Sequence, residues 1–304
     1  MSPTALRDIA AAVQTAPRKS RVAVVAATDA HTVESVVVAQ RDGLIEAVLI
    51  GDQATMAQRL EELGQNPGDY TLVAATSVGE SLAKAVELIH AGEASIMMKG
   101  QVETGQFMHA ILDRANDLRR SRLLSVAGLY ELERYHKLLA VSDQAVNPYP
   151  DLDDKRAVTD NAVGLLHTIG IACPKVAILA AVEKVNPAMR ETVEADALKQ
   201  LNRSGQITGC VIDGPLSFDI ATMAAAAEVK GYDSEVAGDA DLLIVPDLVC
   251  GNVLAKALTG LAGAITAGIV VGAAVPVVLV PRSAEASDKY YSLALAALTA
   301  LERA

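Results

Sequence analysis

Short apolar runs alternate with amphipathic helical stretches along almost the whole chain. This alternation predicts βα units around mostly parallel sheets, because a strand covered by helices on both faces reads as a continuous apolar run. The apolar runs predict strands at residues 22–27, 47–50, 95–98, 137–141, 175–180, 211–212, 242–245 and 277–280. Helical periodicity predicts helices that include residues 31–41, 79–91 and 153–169.

The stretch of residues 257–281 contains no charged residue and is long enough to cross a bilayer. Glycines, threonines and Pro276 interrupt it, and Gly272-Ala273-Ala274 is typical of a turn between two runs rich in Val and Ile. The stretch therefore predicts a helix, a strand, a turn and a strand in a protein core rather than a membrane span.

The length of the chain predicts two α/β domains, because 304 residues exceed the size at which one hydrophobic core usually stops growing. Two prolines in Asn147-Pro148-Tyr149-Pro150-Asp151 interrupt both helices and central strands, so we expect the chain to cross between domains there. The predicted first domain comprises residues 1–142 and 283–304, and the predicted second domain comprises residues 143–282.

Composition narrows the classes of function. The formal net charge is -11 and no dense cluster of Lys and Arg occurs, which argues against nucleic acid and anionic membranes as partners. Neither the three cysteines nor the five histidines have the spacing of a metal site, so no metal is expected. The chain has no nicotinamide or ATP motif, and its first residues do not resemble a secretory signal, so a cytoplasmic location is expected.

Polar residues gather where the predicted strands end. They are Thr28-Asp29, Lys99-Gly100, Asp143, Glu183, Asp213-Gly214-Pro215, Pro246-Asp247 and Arg282. Ligands of open α/β sheets bind beyond the carboxyl ends of the strands, so these positions predict a shared ligand cleft. Each residue taken alone is also compatible with a turn or a helix cap.

Several short motifs follow one another along the chain between residues 98 and 256. They are Met98-Lys99-Gly100 with Thr104, Leu118-Arg119, Arg122-Leu123-Leu124-Ser125, Ser142-Asp143 with Asn147, Ala180-Ala181-Val182-Glu183, Val185-Asn186-Pro187, Gly205-Gln206-Ile207, Asp213-Gly214-Pro215, Ser234-Glu235-Val236-Ala237-Gly238-Asp239-Ala240-Asp241, Pro246-Asp247, and Gly251-Asn252-Val253-Leu254 with Lys256.

In these motifs, residues 95–296 resemble the phosphate acetyltransferase and phosphate butyryltransferase family, especially its butyryl branch. The resemblance implies two α/β domains like those of isocitrate and isopropylmalate dehydrogenases, with catalysis in the cleft between them. It implies exchange of a short acyl group between coenzyme A and inorganic phosphate by direct displacement, without a metal or bound cofactor, in a homodimer or higher homo-oligomer. The coenzyme A thioester is then a substrate.

The resemblance also implies roles for individual residues. Arg282 matches the arginine of the family, and its planar guanidinium suits bidentate contact with phosphate oxygens. Asp288 matches a base aspartate of the acetyl-transferring members, although a negative charge at a helix start also interacts favourably with the helix dipole. The candidate substrate-binding residues are Lys99, Thr104, Arg119, Arg122, Ser125, Asp143, Asn147, Glu183, Asp213, Gly251, Asn252 and Ser283.

Three positions depart from the family pattern: Pro281 replaces a serine, Val126 a histidine and Ile220 an asparagine. If that serine stabilises an oxyanion, its loss costs on the order of 10²- to 10³-fold in rate, unless a backbone amide or Ser283 replaces it. The sequence therefore leaves two alternatives to an active acyltransferase. One is a catalytically weakened paralogue that binds acyl-CoA or acyl phosphate, and the other is a metal-dependent dehydrogenase on the same scaffold.

Overall fold

The structure is a computed structural model that describes residues 2–280 and 284–303. Its strands are β1 (Ser20–Val25), β2 (Ile45–Gly51), β3 (Thr71–Ala74), β4 (Ile96–Lys99), β5 (Ser125–Glu131), β6 (Leu139–Ser142), β7 (Lys175–Leu179), β8 (Val211–Leu216), β9 (Leu242–Ile244), β10 (Ile265–Val271) and β11 (Val277–Val278). Its α-helices are α1 (Leu6–Thr15), α2 (Ala30–Arg41), α3 (Gln53–Glu62), α4 (Val78–His90), α5 (Thr104–Leu112), α6 (Leu152–Thr168), α7 (Arg190–Arg203), α8 (Phe218–Thr222), α9 (Ala224–Lys230), α10 (Leu248–Gly260) and α11 (Ala286–Arg303).

The chain forms two compact units. The flanking unit comprises Arg7–Arg120 and Ala267–Ala304, and the central unit comprises Met1–Leu6 and Ser121–Thr266. These limits differ from the predicted domain crossings after residues 142 and 282. The pairing of the strands explains the difference, because β6 pairs with β9 of the central unit and β11 pairs with β4 of the flanking unit.

In the flanking unit the strand order is β3-β2-β1-β4-β11-β10, and only the pair β10 and β11 is antiparallel. Strand β1 is central, and Val22, Val24 and Val25 in it are fully buried. Helices α4 and α11 both contact this strand. Burial on both faces explains why the strand reads as an unbroken apolar run.

In the central unit the strand order is β5-β6-β9-β7-β8, and only the pair β5 and β6 is antiparallel. Its core includes Tyr130, Val141, Leu243 and Leu258. The carboxyl ends of β6, β9 and β7 lie at one edge, since these strands are parallel neighbours. Loops that follow these strands can therefore contribute to one site.

The predicted α/β class with mostly parallel sheets is confirmed. A strand occurs in every predicted strand region, whereas β3 and β5 were not predicted. In the uncharged stretch, α10 ends at Gly260 and β10 and β11 follow, with Gly272 between them at a φ of 90°. Within the described residues, no helix combines the length and hydropathy required to cross a membrane.

Candidate active site

The ends of two neighbouring strands form one part of the candidate site, in the flanking unit. Val25 of β1 pairs in parallel register with Lys99 of β4. Asp29, which follows β1, lines the same cavity as Lys99, and the volume of this cavity is about 230 Å³. The structure thus brings together two of the polar positions that the sequence placed at strand ends.

The backbone after β4 fixes the ammonium of Lys99. Its Nζ donates hydrogen bonds to the carbonyl oxygens of Val102 at 3.0 Å and Gly100 at 3.3 Å. Gly100 lies so close to the end of β1 that a Cβ atom would collide with the carbonyl oxygen of Val25. Thr104, in the first turn of α5, is exposed and does not line the cavity of Lys99.

Of the two proposed catalytic residues, Asp288 lies within the part of the chain that the structure describes. Asp288 is in the first turn of this helix and is partly buried. Pro281, Arg282 and Ser283 lie outside the described residues. Their roles stay predictions from the sequence.

In the central unit, Asp143 organises the loop that follows β6. It is only 3% exposed, and its Oδ1 accepts hydrogen bonds from the backbone N–H groups of Val126 at 3.0 Å and Ala145 at 3.1 Å. Its Oδ2 accepts a hydrogen bond from the backbone N–H of Asn147 at 2.8 Å. The carboxylate therefore ties the loop to β5, which gives Asp143 a positioning role.

Two asparagines hold the segment that leads into β5. The Nδ2 of Asn147 donates to the carbonyl oxygen of Leu124 at 2.8 Å. The Nδ2 of Asn161 donates to the carbonyl oxygen of Leu123 at 3.1 Å and to the Oγ of Ser125 at 3.3 Å. Ser125 is fully buried, so a substrate could contact it only by entering the protein interior beside this segment.

Helix α10 begins beside the same loop. Asp247 caps it by accepting a hydrogen bond from the backbone N–H of Cys250 at 2.8 Å. The N–H of Gly251 donates to the carbonyl oxygen of Asp247 at 3.1 Å, so this amide is used within the helix rather than facing an anion. The Nδ2 of Asn252 lies 3.5 Å from the carbonyl oxygen of Gln144.

The two candidate arginines have different surroundings. Arg122, in the central unit, donates from Nε to Asp154 Oδ1 at 3.0 Å, at the start of α6. Arg119, in the flanking unit, is exposed, and its backbone forms an isolated antiparallel bridge with Ala273. Arg122 therefore already has a carboxylate partner with which an anionic substrate would compete.

Asp213 lies inside β8, whereas the sequence placed it after a strand. Gly214 and Pro215, which usually indicate a turn, here continue the strand. Asp213 forms an ion pair with Lys199 at 2.5 Å and accepts a hydrogen bond from Tyr232 at 3.3 Å. Burial and the charge of Asp213 raise the pKa of Tyr232 to about 12.

Glu183 lies in the loop after β7. Its Oε1 accepts hydrogen bonds from the hydroxyl of Ser217 and, at 3.0 Å, from Lys230. The hydrogen bond from Ser217 and the ammonium of Lys230 hold the pKa of Glu183 below its ordinary value of 4.5. These side chains form a polar cluster at the edge of the central sheet.

The sequence reasoning missed Lys289, which is only 9% exposed and lines the cavity of Lys99 together with His31. A signal was present in the sequence. Lys289 precedes Leu293, Ala296 and Ala300 at helical spacing, so a charged residue begins the apolar stripe that α11 buries.

Comparison with known proteins identifies the family. Residues 55–297 match the protein family described as phosphate acetyl/butaryl transferase. The chain is 40% identical over 280 residues to a phosphate butyryltransferase of Clostridium acetobutylicum, which covers 92% of this chain and 93% of that protein. It is 37% identical over 280 residues to a phosphate acetyltransferase of Thermotoga maritima, which covers 92% of this chain and 95% of that protein.

Solved structures share the fold. A branched-chain phosphotransacylase from Enterococcus faecalis matches with a TM-score of 0.81 and 28% identity, over 92% of this chain and 99% of that chain. A putative 4-hydroxythreonine-4-phosphate dehydrogenase from Salmonella typhimurium matches with a TM-score of 0.56 and 15% identity, over 93% of this chain and 100% of that chain. The latter likeness concerns the fold alone and agrees with the predicted dehydrogenase-like architecture. By sequence over most of its length and by fold, the chain belongs to the phosphate acetyl/butaryl transferase family.

Proposed function

We propose that this chain exchanges a short acyl group between coenzyme A and inorganic phosphate. The observation that carries the proposal is its identity of 40% over 280 residues with a phosphate butyryltransferase. A phosphate oxygen attacks the thioester carbonyl, the carbon–sulfur bond breaks, and an acyl phosphate forms. Coenzyme A leaves as a thiolate and takes up a proton, so the thioester is a substrate and no bound cofactor takes part.

Three chemical tasks are assigned to the chain's own residues. Arg282 binds the phosphate oxygens through its guanidinium. Asp288 exchanges the proton of the coenzyme A thiol, which has an ordinary pKa near that of free cysteine, about 8.5, and so requires nearby positive charge to ionise easily. Ser283 or a backbone amide supplies the oxyanion donor that Pro281 lacks.

Further residues shape the substrate-binding surface. Lys99 contributes a fixed positive charge at the cavity that follows β1 and β4. Asp143, Asn147 and Gly251 hold the loop after β6, and Arg122 offers a cation near the start of α6. The remaining substrate-binding candidates are Thr104, Arg119, Ser125, Glu183, Asp213 and Asn252.

We further propose that the protein acts in the cytoplasm as a homodimer or higher homo-oligomer. Val249 and Val253 support association, since they lie one turn apart on α10 and are 59% and 63% exposed. Leu261, just beyond this helix, is 91% exposed. A cluster of exposed apolar side chains is typical of a protein contact surface.

The thiol-release assay tests the function. Purified protein is given acetyl-, propionyl- or butyryl-CoA, and free thiol should appear only when phosphate is present. Thiol release at the same rate without phosphate would identify a thioesterase instead. The alternative of a weakened binding paralogue gains no support from the comparisons, and in this assay it would bind coenzyme A without releasing thiol.

A further inference from the structure

Lys289 is a buried cation that the proposed chemistry leaves without a role. It lies near the start of α11 and is only 9% exposed. Within residues 2–280 and 284–303, its ammonium has neither a hydrogen-bond acceptor nor an ion-pair partner. Burial of a charge without a partner is costly, so a ligand is the natural source of the missing negative charge.

The side chain of Lys289 borders open space, although the residue as a whole is buried. Lys289 and His31 together line two cavities of about 230 and 210 Å³, so the open space is in this region.

Charge distinguishes the two cavities. The smaller one is also lined by Glu34 and Glu285, whose carboxylates would repel an anion. The larger one, which we call the lysine cavity, is lined by Lys99 and Lys289 and by one carboxylate, that of Asp29. That carboxylate is engaged, because its Oδ1 accepts a hydrogen bond from the backbone N–H of Thr32 at 2.9 Å.

The lysine cavity also meets the start of a helix. His31 and Thr32 belong to the first turn of α2, which has 12 residues, and both line this cavity. The positive end of a helix dipole favours an anion at this position. A volume of about 230 Å³ far exceeds the roughly 15 Å³ that one water requires, so a tetrahedral oxyanion fits.

We infer that Lys289, with Lys99, binds an oxyanion of the phosphate class in the lysine cavity. The choice of phosphate among oxyanions rests on the proposed function, in which both substrates carry phosphate. Free inorganic phosphate and the phosphate groups of coenzyme A present the same chemistry to the two ammonium groups. The test therefore separates these two sources.

Titration calorimetry at low ionic strength measures binding without turnover. Inorganic phosphate, coenzyme A and pantetheine, which lacks the phosphate groups of coenzyme A, are titrated separately into the wild-type protein and its variants. Lys289→Met removes the charge at similar length, Lys289→Gln keeps a hydrogen-bond donor without the charge, and Lys289→Arg keeps the charge. Lys84→Met is the matched control, since Lys84 is a helix lysine of the same unit that is already paired with Glu80 at 2.8 Å.

The inference predicts that Lys289→Met weakens the binding of one phosphate-bearing titrant about 10- to 100-fold, as expected for loss of a hydrogen bond to a charged group. Lys289→Gln should show a similar loss of affinity. This second variant tests the role of the charge if the Met variant does not fold. Lys289→Arg should retain most of the affinity, and Lys84→Met all of it. Loss for inorganic phosphate identifies the free anion, and loss for coenzyme A but not pantetheine identifies its phosphate groups.

Unchanged affinity of Lys289→Met and Lys289→Gln for both phosphate and coenzyme A would overturn the inference. Wild-type protein that binds neither molecule would overturn it as well. Wild-type protein that binds a phosphate-bearing titrant through Lys289 but releases no thiol from acyl-CoA would contradict the proposed function alone. The two failures are therefore distinguishable.

Discussion

A Cβ atom added to Gly251 would lie 2.5 Å from the carbonyl oxygen of Asp143. It would also lie 2.9 Å from the side chain of Val245 and 3.0 Å from the Cα of Gln144. The first turn of α10 and the loop after β6 therefore meet backbone to backbone. Glycine at this position allows close contact between two segments that both contain candidate site residues.

The variant Gly251→Ala tests this contact. The added methyl group must displace the loop at Asp143, so we expect the free energy of unfolding to fall by about 1–3 kcal/mol. Urea denaturation measures the change. Gly164→Ala is the control, because Gly164 is exposed in α6 with no atom within 4 Å of its added Cβ, and alanine there should raise the free energy of unfolding by about 0.5–1 kcal/mol. Equal effects of the two substitutions would argue against the contact.

Asp143→Asn tests the loop that the carboxylate holds. Replacing one carboxylate oxygen by an amide NH₂ group places a donor opposite backbone N–H groups that donate hydrogen bonds to Asp143 in the wild-type protein. We expect a loss of about 1–3 kcal/mol in the free energy of unfolding, with a lower rate of thiol release. Asp153→Asn, at a side chain that is 74% exposed, should change the free energy of unfolding by less than about 0.5 kcal/mol. Wild-type stability of Asp143→Asn would remove the positioning role.

The Asp213 carboxyl predicts a pH-dependent contribution to stability. Burial acts to raise its pKa, but hydrogen bonds from Lys199 and Ser234 outweigh burial and lower the pKa below the ordinary 3.8. A lowered pKa in the folded state means that the stabilisation is present above the pKa of the unfolded chain and is lost as the pH falls. Asp213→Asn should therefore be less stable than wild type at pH 7, and the difference should shrink as the pH falls below 3.8. A difference that grows in acid would contradict this sign.

The variant Asp288→Asn distinguishes two roles for this aspartate, a general base in the reaction and a negative charge near the start of a helix. As a base, Asp288 contributes about 10²- to 10⁴-fold to the rate, so kcat for thiol release or its reverse should fall by that factor. As a charge near the helix start, it would contribute only about 0.3–1 kcal/mol to stability. Steady-state kinetics and urea denaturation of the same variant give both values. A variant with wild-type kcat and reduced stability would assign Asp288 to the helix dipole.

Periodicity predicted much of the fold because buried parallel strands and amphipathic helices leave strong patterns. Strand β3 was not predicted, because it lies at the edge of the sheet and has no buried residue that would give it an apolar pattern. Strand β5 begins with Ser125 and contains Gly128, against which Gln144 packs closely, so its pattern is broken. Asp213-Gly214-Pro215 has the composition of a turn, yet pairing with β7 keeps it within β8.

The candidate site was less accessible to sequence reasoning. Family motifs indicated Asp143 and Gly251, but their roles depend on which backbone groups meet them in the fold. Lys289 belongs to none of the motifs, and its lack of a partner among the described residues follows only from tertiary contacts. Arg282, to which we assign the phosphate-binding role, lies outside the described residues, so its assignment still depends on the sequence.

The central claim is that the acyl group passes directly from sulfur to a phosphate oxygen. Phosphorus NMR of purified protein with butyryl-CoA and inorganic phosphate, read beside a thiol assay, measures both products together. The account predicts one acyl phosphate for each thiol released, and a sharply higher phosphate requirement for Arg282→Ala. Release of thiol without a matching acyl phosphate, at a rate independent of phosphate, would contradict it.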